Sequence, residues 1–434
     1  MVLNNYRYSK VKLDIRGVRI SFEEILFYTG LILWLIQMYI TRTIFADFFS
    51  GRLLTAVRYF CMLIFLAKIV ITEKRTDVKA AIVFMTSAAV FIAVQRKIDV
   101  GMPLIQILLL IFAARAVSFR RICKVLLWSC LVLWLIPVLV DKTGIYEMPR
   151  EVDDQRVREF LNYQYVSFSA LYFNNIIFCT MYAYTDQDIR GSGGNYGKRR
   201  EVSWAVLALL SAVLIWLFKI TDTSLPFVTA AAGIALYAAV FKFRVPLFKN
   251  TAASRLMSVL IFPLMAVINI VMTVNYNYRV GWQKKLDDLV HFRLSLAYKG
   301  YKTYGIHLLG APVVENTDRS KGAYFYIDSG YMKVLINYGV IVLIVILAMY
   351  AVMMYAAVIE HDKMLAIWLV CIAFYSMFNN LLLSPIENGA MFGLWYAVKL
   401  IRWHKRKKRA GFIGTGARTG SEPARKHIEY GTQS

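Results

Sequence analysis

The chain has 434 residues, of which 59% are hydrophobic and 18% are charged, and its formal net charge is +24. A soluble domain carries roughly a quarter charged residues, whereas the apolar residues here come in blocks of about twenty, the length that crosses a bilayer core. The composition therefore excludes a soluble enzyme and predicts an all-α polytopic integral membrane protein.

The strong positive charge does not indicate a nucleic-acid partner. Lys and Arg lie at the ends of the apolar blocks and in loops, as membrane topology requires, and neither zinc-finger spacing nor an RNA-binding aromatic signature accompanies them. The five cysteines also fall within or at the ends of apolar blocks. We interpret them as packing thiols, not as disulfides or metal ligands.

The apolar blocks predict about twelve membrane spans. They lie at roughly 21–41, 52–71, 78–95, 100–118, 121–141, 161–184, 203–218, 224–241, 256–274, 331–357, 364–383 and 386–402. The first block follows a basic flank and is too long for a signal-peptide core, so it is expected to remain as a span. Residues 1–408 thus form a transmembrane helical domain, and 409–434 are expected to be a disordered basic cytoplasmic tail.

The positions of the basic runs predict the orientation of these spans. If the N-terminus is cytoplasmic, the runs at 198–200 and 405–409 fall on the inner side together, as the positive-inside rule requires. Both termini are then cytoplasmic. The one large polar loop, residues 275–330, faces outward, and any chemistry is expected there.

This loop begins with a pattern that predicts a short amphipathic helix over residues 282–299. At about 100° per residue, Trp282, Leu286 and Leu289 share an apolar face, so the helix is expected to lie along the membrane surface or to cap the bundle. Arg293 falls in the middle of that face. Two interpretations stay open for Arg293: it reaches water or a local carboxylate, or its planar guanidinium holds an anion.

Four further arginines are candidate site residues because their positions are unusual. Arg156, Arg158 and Arg279 lie on the predicted outer side, against the usual inner bias. Arg58 lies about two turns inside the second span, where a cation is costly unless it faces the bundle interior or a wet cavity.

Two residues of the large loop are candidate general bases. His307 lies between Gly305 and Gly310, which predict a tight turn; the imidazole can act as a base or serve as a hydrogen-bonded structural group. Asp328 directly precedes the tenth span. It can act as a base or cap the N-terminus of that helix, and the sequence leaves both roles open.

Polar residues inside or between spans form a third group. The pairs Asn174–Asn175 and Asn379–Asn380 are predicted to form interhelical hydrogen bonds and to line a cavity. Glu387, at the turn between the last two spans, is a further acid that can face a substrate.

The order of these features resembles that of Wzy-type O-antigen and capsular polysaccharide polymerases. A dominant outer loop late in the chain carries an arginine-containing helix, and a Tyr-Gly-x-x-Leu-x-Gly-like turn follows at 304–310. Ile-Asp-Ser-Gly-Tyr stands at 327–331, and Leu-Ile-Asn-Tyr-Gly at 335–339. Arg-Val-Arg at 156–158 with Asn-Asn at 174–175 resembles a second recurrent stretch of that family.

The resemblance implies transfer of a growing polysaccharide from undecaprenyl pyrophosphate to a lipid-linked repeat unit, at the outer face of a bacterial cytoplasmic membrane. Preorganised arginines would stabilise the pyrophosphate leaving group without a metal or other cofactor, and a base would deprotonate the acceptor hydroxyl. The arginines assigned to the pyrophosphate are Arg293, Arg58, Arg279, Arg156 and Arg158. His307 or Asp328 would be the base. The implied partners are the lipid-linked oligosaccharide, a flippase and chain-length regulator proteins.

Three alternatives stay open from the sequence. A WaaL-type O-antigen ligase resembles this layout and would use His307. Another lipid-linked glycosyltransferase would use an acid in the first outer loop, where Asp47 lies. A flippase or transporter would place charges and broken helices near the membrane midplane, whereas most of the outer charge here lies in one loop.

Overall fold

The computed structural model describes residues 12–15, 18–73, 78–98, 103–144, 146, 151–153, 156–186, 200–317 and 324–416. The α-helices in these ranges are α1 (Phe22–Ile40), α2 (Gly51–Glu73), α3 (Val78–Ile98), α4 (Pro103–Ala113), α5 (Phe119–Lys142), α6 (Phe168–Ala183), α7 (Trp204–Thr221), α8 (Ser224–Tyr237), α9 (Ala252–Val274), α10 (Gly281–Leu289), α11 (Arg293–Tyr304), α12 (Gly330–Lys333), α13 (Gly339–Ile359), α14 (Lys363–Tyr375) and α15 (Leu394–Gly416). The strands there form two antiparallel hairpins, β1 (Lys12–Ile15) with β2 (Val18–Ser21), and β3 (Glu151–Asp153) with β4 (Arg156–Arg158).

Eight helices among the described residues are long and apolar enough to cross a membrane. Two shorter apolar helices, α4 and α14, accompany them. The predicted class, a helical multi-pass membrane protein, is confirmed, while the count of about twelve spans stays a prediction. At the C-terminus α15 continues past the predicted boundary at residue 408 as far as Gly416, and 417–434 lie outside the described residues.

The helix bundle has an apolar interior and also an apolar outer surface. The central helix α6 is buried along almost its whole length, and a helix that is hydrophobic all round belongs in such a position. Peripheral helices instead turn large apolar side chains outward: Leu63 of α2 is 63% exposed, Leu209 of α7 64% and Leu256 of α9 60%. These side chains face the space that lipid occupies in a membrane.

The loops between the helices gather at two separate ends of the bundle. At one end, which we call the loop end, the contacts are Arg42–Glu387, Lys142–Glu159, Arg158–Asp222 and Arg293–Phe378. At the opposite end they are Glu24–Arg121, Arg120–Asp186, Glu201–Arg244 and Glu360–His404. The segment between α9 and α12 lies at the loop end, since Arg293 belongs to it.

The prediction of one amphipathic helix over residues 282–299 is wrong. The structure has two helices, α10 and α11, separated by His291 and Phe292, whose φ angles are 55° and 61°. Asp287, predicted on the exposed polar face, is only 2% exposed. Trp282 and Leu289, predicted on the apolar face, are 59% and 72% exposed, whereas Val290 and Ala297, which the same helical phase places with them, are buried, so these residues do not share one face.

The turn at residues 305–310 is fixed against the helix that follows the loop. Between α12 and α13 the chain forms a π-helical turn (Val334–Tyr338) and then Gly339, with a φ of 90°. Gly310, with a φ of 76°, lies against this turn, and a Cβ there would overlap the Asn337 carbonyl oxygen. The amide of Val340 donates to the carbonyl of His307 at 3.0 Å. The predicted glycine turn is therefore present, and it is fastened to the start of α13.

Candidate functional site

A cluster of six charged side chains lies at the loop end. Its three pairs are Arg42 Nη1 with Glu387 Oε1 at 2.9 Å, Lys333 Nζ with Glu315 Oε2 at 2.8 Å, and Arg293 Nε with Asp328 Oδ2 at 3.9 Å. We call these residues the charged cluster. Such groups are rarely buried unless they are paired. Here the most exposed member, Arg42, has 28% of its side chain accessible.

Arg293 is oriented by the helix that it begins. The buried Asp287 carboxylate accepts hydrogen bonds from the amides of Leu294 and Ser295 at 2.9 and 3.0 Å, which satisfies donors that a helix N-terminus leaves unpaired. The Arg293 side chain is only 11% exposed, and its Nη1 donates to the carbonyl of Phe378 in the loop after α14. The Arg293 side chain therefore lies inside the bundle beside a local carboxylate, that of Asp328, as one of the two interpretations from the sequence has it, while its binding of an anion stays a prediction.

Asp328 is not the cap of the helix that follows it. Ser329 has that role, since its hydroxyl accepts from the amide of Met332 at 3.3 Å and donates to Asn269 Oδ1 at 2.6 Å. The Asp328 carboxylate is left facing Arg293, with 13% of its side chain exposed. The capping role that the sequence left open for Asp328 is excluded.

Two opposing influences act on the pKa of the Asp328 carboxyl. Burial raises the pKa of this carboxyl above the ordinary aspartate value, and the nearby charges of Arg293 and Lys333 counteract part of that rise. Burial disfavours a carboxylate, while a nearby cation favours it. A carboxyl whose pKa depends on a neighbouring cation can gain or lose a proton when an anion binds to that cation.

Lys333 connects Asp328 to the rest of the charged cluster. Its ammonium lies 3.7 Å from the centre of the Tyr326 ring, in addition to its pair with Glu315. It is within electrostatic reach of Glu387 as well as Asp328. Lys333 ends α12, so the helix that Ser329 caps sets its position.

Arg42 and the loop that carries Glu387 are both held by residues of α6. The guanidinium of Arg42 stacks over the Phe168 ring at 4.8 Å from its centroid. Asn175 holds the loop on both sides of Glu387: its Nδ2 donates to the carbonyl of Ile386 at 3.0 Å, and its Oδ1 accepts from the amide of Gly389 at 2.9 Å. Asn175 is thus hydrogen-bonded inside the bundle, but its partners belong to the loop around Glu387 and not to another membrane helix as predicted.

Of the other predicted asparagines, Asn174 forms an interhelical hydrogen bond and lines a cavity, while Asn379 is bonded to a residue of its own segment. Asn174 Nδ2 donates to the carbonyl of Pro226 at 2.9 Å, and Asn379 Nδ2 donates to the hydroxyl of Tyr375, also at 2.9 Å. Asn174, Tyr375 and Glu387 line a cavity of about 20 Å³, room for about one water molecule.

Two tyrosines extend the cluster towards β4. The Tyr165 phenol is hydrogen-bonded to that of Tyr324 and lies within electrostatic reach of Arg293, Asp328 and Arg158. Arg158 also donates from Nη2 to the Asp222 carbonyl at 3.3 Å. Among the predicted arginines, Arg158 is thus connected to the cluster through Tyr165.

The remaining predicted site residues lie apart from these contacts. In the described part of the chain, Arg58 and Arg279 form no hydrogen bond or ion pair with the charged cluster; the Arg58 Nε is buried, and Arg279 is exposed against the ring of its neighbour Tyr278. His307 is exposed, with Nε2 2.9 Å from the carbonyl oxygen of Tyr304. The side chain of Arg156 lies outside the described part.

Sequence reasoning missed half of the charged cluster, namely Arg42, Glu315 and Lys333. Arg42 stands just after the first apolar block and Lys333 at the start of the tenth, where a basic residue is ordinary. No sequence signal pairs Arg42 with Glu387, which is 345 residues away. The described residues contain no group of three or more His, Cys, Asp or Glu side chains placed to hold a metal ion.

The fold and this cluster define a helical multi-pass membrane protein with a buried group of ion pairs at one end. The chain matches no protein-family model, no curated protein and no solved structure.

Proposed function

We propose that this protein is a membrane glycan polymerase. It transfers a growing polysaccharide from undecaprenyl pyrophosphate to a lipid-linked repeat unit at the outer face of a bacterial cytoplasmic membrane, with both termini in the cytoplasm and about twelve spans. The loop end faces outward, because the concentrated basic runs belong to the opposite side. The proposal joins the resemblance of residues 275–345 to Wzy-type polymerases with one observation, the buried placement of Arg293 beside Asp328.

The reaction needs a cation where a pyrophosphate leaves. As the glycosidic carbon separates from the phosphate oxygen, the bonding electron pair goes to the pyrophosphate and negative charge builds up there. Arg293 is fixed at one nitrogen by the Phe378 carbonyl, while its Nε lies 3.9 Å from Asp328, beyond a normal hydrogen bond. A phosphate oxygen can therefore take the place of Asp328 without breaking a short contact.

When a phosphate oxygen takes the place of Asp328 beside Arg293, Asp328 becomes able to act as a base. Arg293 holds down the pKa of this buried carboxylate, so a phosphate that engages Arg293 raises that pKa and makes Asp328 a stronger base. The acceptor hydroxyl then gives its proton to Asp328 as its oxygen bonds to the glycosidic carbon. Asp328 is favoured over His307 as the base because His307 is exposed and bonded within its own turn.

Lys333 and Arg42 supply further positive charge next to Asp328 and Glu387. Preorganised cations in a site that excludes water stabilise developing negative charge more strongly than cations in solution do. Arg42 is held in place by its ion pair with Glu387, and Lys333 by its ion pair with Glu315. Arg158 adds charge on the Tyr165 side. The proposed reaction thus proceeds with side-chain cations around the leaving group.

Deletion of the gene tests the proposal, with surface glycan resolved by size on a gel. A polymerase deletion leaves single repeat units on the surface lipid, and the wild-type gene restores the ladder. Long chains that stay unattached would identify a ligase, and repeat units trapped inside the cell would identify a flippase; either result overturns the proposal. Complementation with Arg293→Lys then tests the site, since a full ladder would remove Arg293 from its proposed role.

A further inference from the structure

The helix α10 is packed with its polar side inward. Gln283 is 8% exposed and Asp287 2%, and both are hydrogen-bonded inside the loop. Gln283 Oε1 accepts from the Asn277 amide at 2.6 Å, and Asp287 Oδ2 accepts from the Tyr276 hydroxyl at 2.9 Å. A surface helix of a globular protein normally buries its apolar stripe, so α10 has the opposite arrangement.

The apolar side of α10 faces outward. Trp282 is 59% exposed and Leu289 72%, and Phe292 just beyond the helix is 60% exposed. At about 100° per residue, Trp282, Leu286 and Leu289 fall within about 60° of one another. In the described part of the chain nothing covers Trp282 and Leu289, while Leu286 between them is half-buried. Neighbouring exposed apolar side chains of this kind mark an interaction surface.

The exposed stripe continues the apolar outer face of α9. Leu264, Val267 and Val271 lie at helical spacing on α9 and are 43%, 56% and 53% exposed, the face that meets lipid in a membrane. The chain then leaves α9 and reaches Tyr278, which is 64% exposed, and Trp282. An apolar surface thus runs from the membrane-crossing helix into α10, where an aromatic side chain suits the interface between headgroups and acyl chains.

The charges of α10 lie where an interfacial helix needs them. Lys284 and Asp288 are exposed and stand on the side opposite the apolar stripe. Lys285 is exposed beside Trp282 and Leu289, so its ammonium can reach out to headgroup phosphates while its methylenes stay on the apolar side.

We propose that α10 docks on the lipid leaflet at the loop end of the bundle. Trp282, Leu289 and Phe292 insert below the headgroups, and Lys285 contacts anionic lipid phosphates. Docking fixes the position of α10 relative to the membrane. Because Asp287 of α10 caps α11, docking also fixes the start of α11. This inference rests on burial and charge alone and does not depend on the proposed polymerase activity.

Spin labels measure the depth of α10 in nanodiscs that contain phosphatidylglycerol. Single cysteines are introduced in the full-length protein by Trp282→Cys and Leu289→Cys, with Lys284→Cys and Asp288→Cys as matched controls on the same helix. The five native cysteines are buried, so the unsubstituted protein serves as the blank. We expect labels at 282 and 289 to collide more often with oxygen than with a water-soluble nickel chelate, and those at 284 and 288 to show the reverse.

Two outcomes overturn the proposal. Nickel access at 282 and 289 equal to that at 288 would place the stripe in water, and protection of both positions from oxygen and nickel alike would place it against protein, either a second copy or a partner. The headgroup contact has a separate readout: Lys285→Glu should make the label at 289 shallower in anionic nanodiscs and leave it unchanged in zwitterionic ones. An equal response in both lipids would remove Lys285 from the docking surface.

Discussion

Arg293 and Asp328 face each other across 3.9 Å from Nε to Oδ2 inside the bundle, each with little more than a tenth of its side chain exposed. The guanidinium is bonded through Nη1 to a backbone carbonyl instead. The pair is therefore close enough for strong electrostatic coupling but leaves Nε without a short contact to the carboxylate.

Replacing Arg293 with lysine should impair glycan polymerisation while the protein still accumulates in the membrane. Lysine keeps the charge but loses the planar fork, and loss of one charge-assisted hydrogen bond in the transition state costs about 1.5–3 kcal/mol, roughly a ten- to hundredfold fall in rate. Turnover is measured with purified lipid-linked repeat units. Arg52→Lys, at an exposed arginine in the first turn of α2, is the matched control and should stay at the wild-type rate.

The pH profile should identify the base. Ionised Asp328 is the active form, so kcat/KM should rise with pH through its pKa, which burial places above the ordinary aspartate range. Arg293 lowers that pKa; Arg293→Gln should therefore move the acid limb of the profile to higher pH. Asp328→Asn should abolish the limb together with most of the activity. A limb that stays in place in Arg293→Gln would argue for another base.

Asp287→Ala should loosen the start of α11 and displace Arg293. It removes the acceptor for the amides of Leu294 and Ser295 and for the Tyr276 hydroxyl, and loss of a helix cap costs about 0.5–2 kcal/mol. We expect a lower melting temperature in detergent and weaker polymerisation. Asp288→Ala, at the exposed neighbour, should change neither. Asp287→Asn keeps a side-chain acceptor and should recover most of the stability.

Replacing Arg42 alone should lower the stability of the protein more than replacing both Arg42 and Glu387. Arg42→Gln leaves a carboxylate that is 5% exposed without its cation, and such a loss costs about 3–5 kcal/mol. The double variant Arg42→Gln with Glu387→Gln should be more stable than Arg42→Gln alone. Thermal unfolding of the four proteins of the cycle gives the coupling free energy, and additive effects would show that the pair is not coupled.

Gly310→Ala should prevent normal folding of the loop. The φ of 76° disfavours any Cβ, and this Cβ would meet the carbonyl of Asn337. We expect strongly reduced yield in the membrane. Gly281→Ala is the matched control in the same loop, because a Cβ there meets nothing within 4 Å. Equal yields of the two variants would contradict the close approach of the turn to α13.

The sequence could predict the membrane class, because apolar blocks of span length are read directly from the chain. The helical phase that placed Arg293 with Trp282 and Leu289 was misleading, since the Arg293 side chain points into the bundle while those two side chains are exposed. The break between α10 and α11 was not predictable in this way. It occurs at His291 and Phe292, both with positive φ, and neither is a glycine that would indicate such a conformation.

The ion pairs of the cluster could not be predicted because they join distant parts of the chain. Arg42 meets Glu387 across most of the sequence. The two are brought together on α6, where Arg42 lies over the Phe168 ring and Asn175 binds the loop around Glu387. The burial of Asp287 has a similar cause: its partners are the amides of the next helix, which lie within reach only once the chain turns back at Phe292.

The two hydrogen bonds of Asn175 have a mechanical consequence. One amide side chain in the middle of α6 holds the backbone on both sides of Glu387, and the Glu387 carboxylate in turn holds Arg42 at the end of α1. A tilt or rotation of α6 would therefore move the Arg42–Glu387 ion pair, even if the loop around Glu387 kept its own conformation. The position of the central helix thus sets the position of a buried ion pair to which it contributes no charged residue.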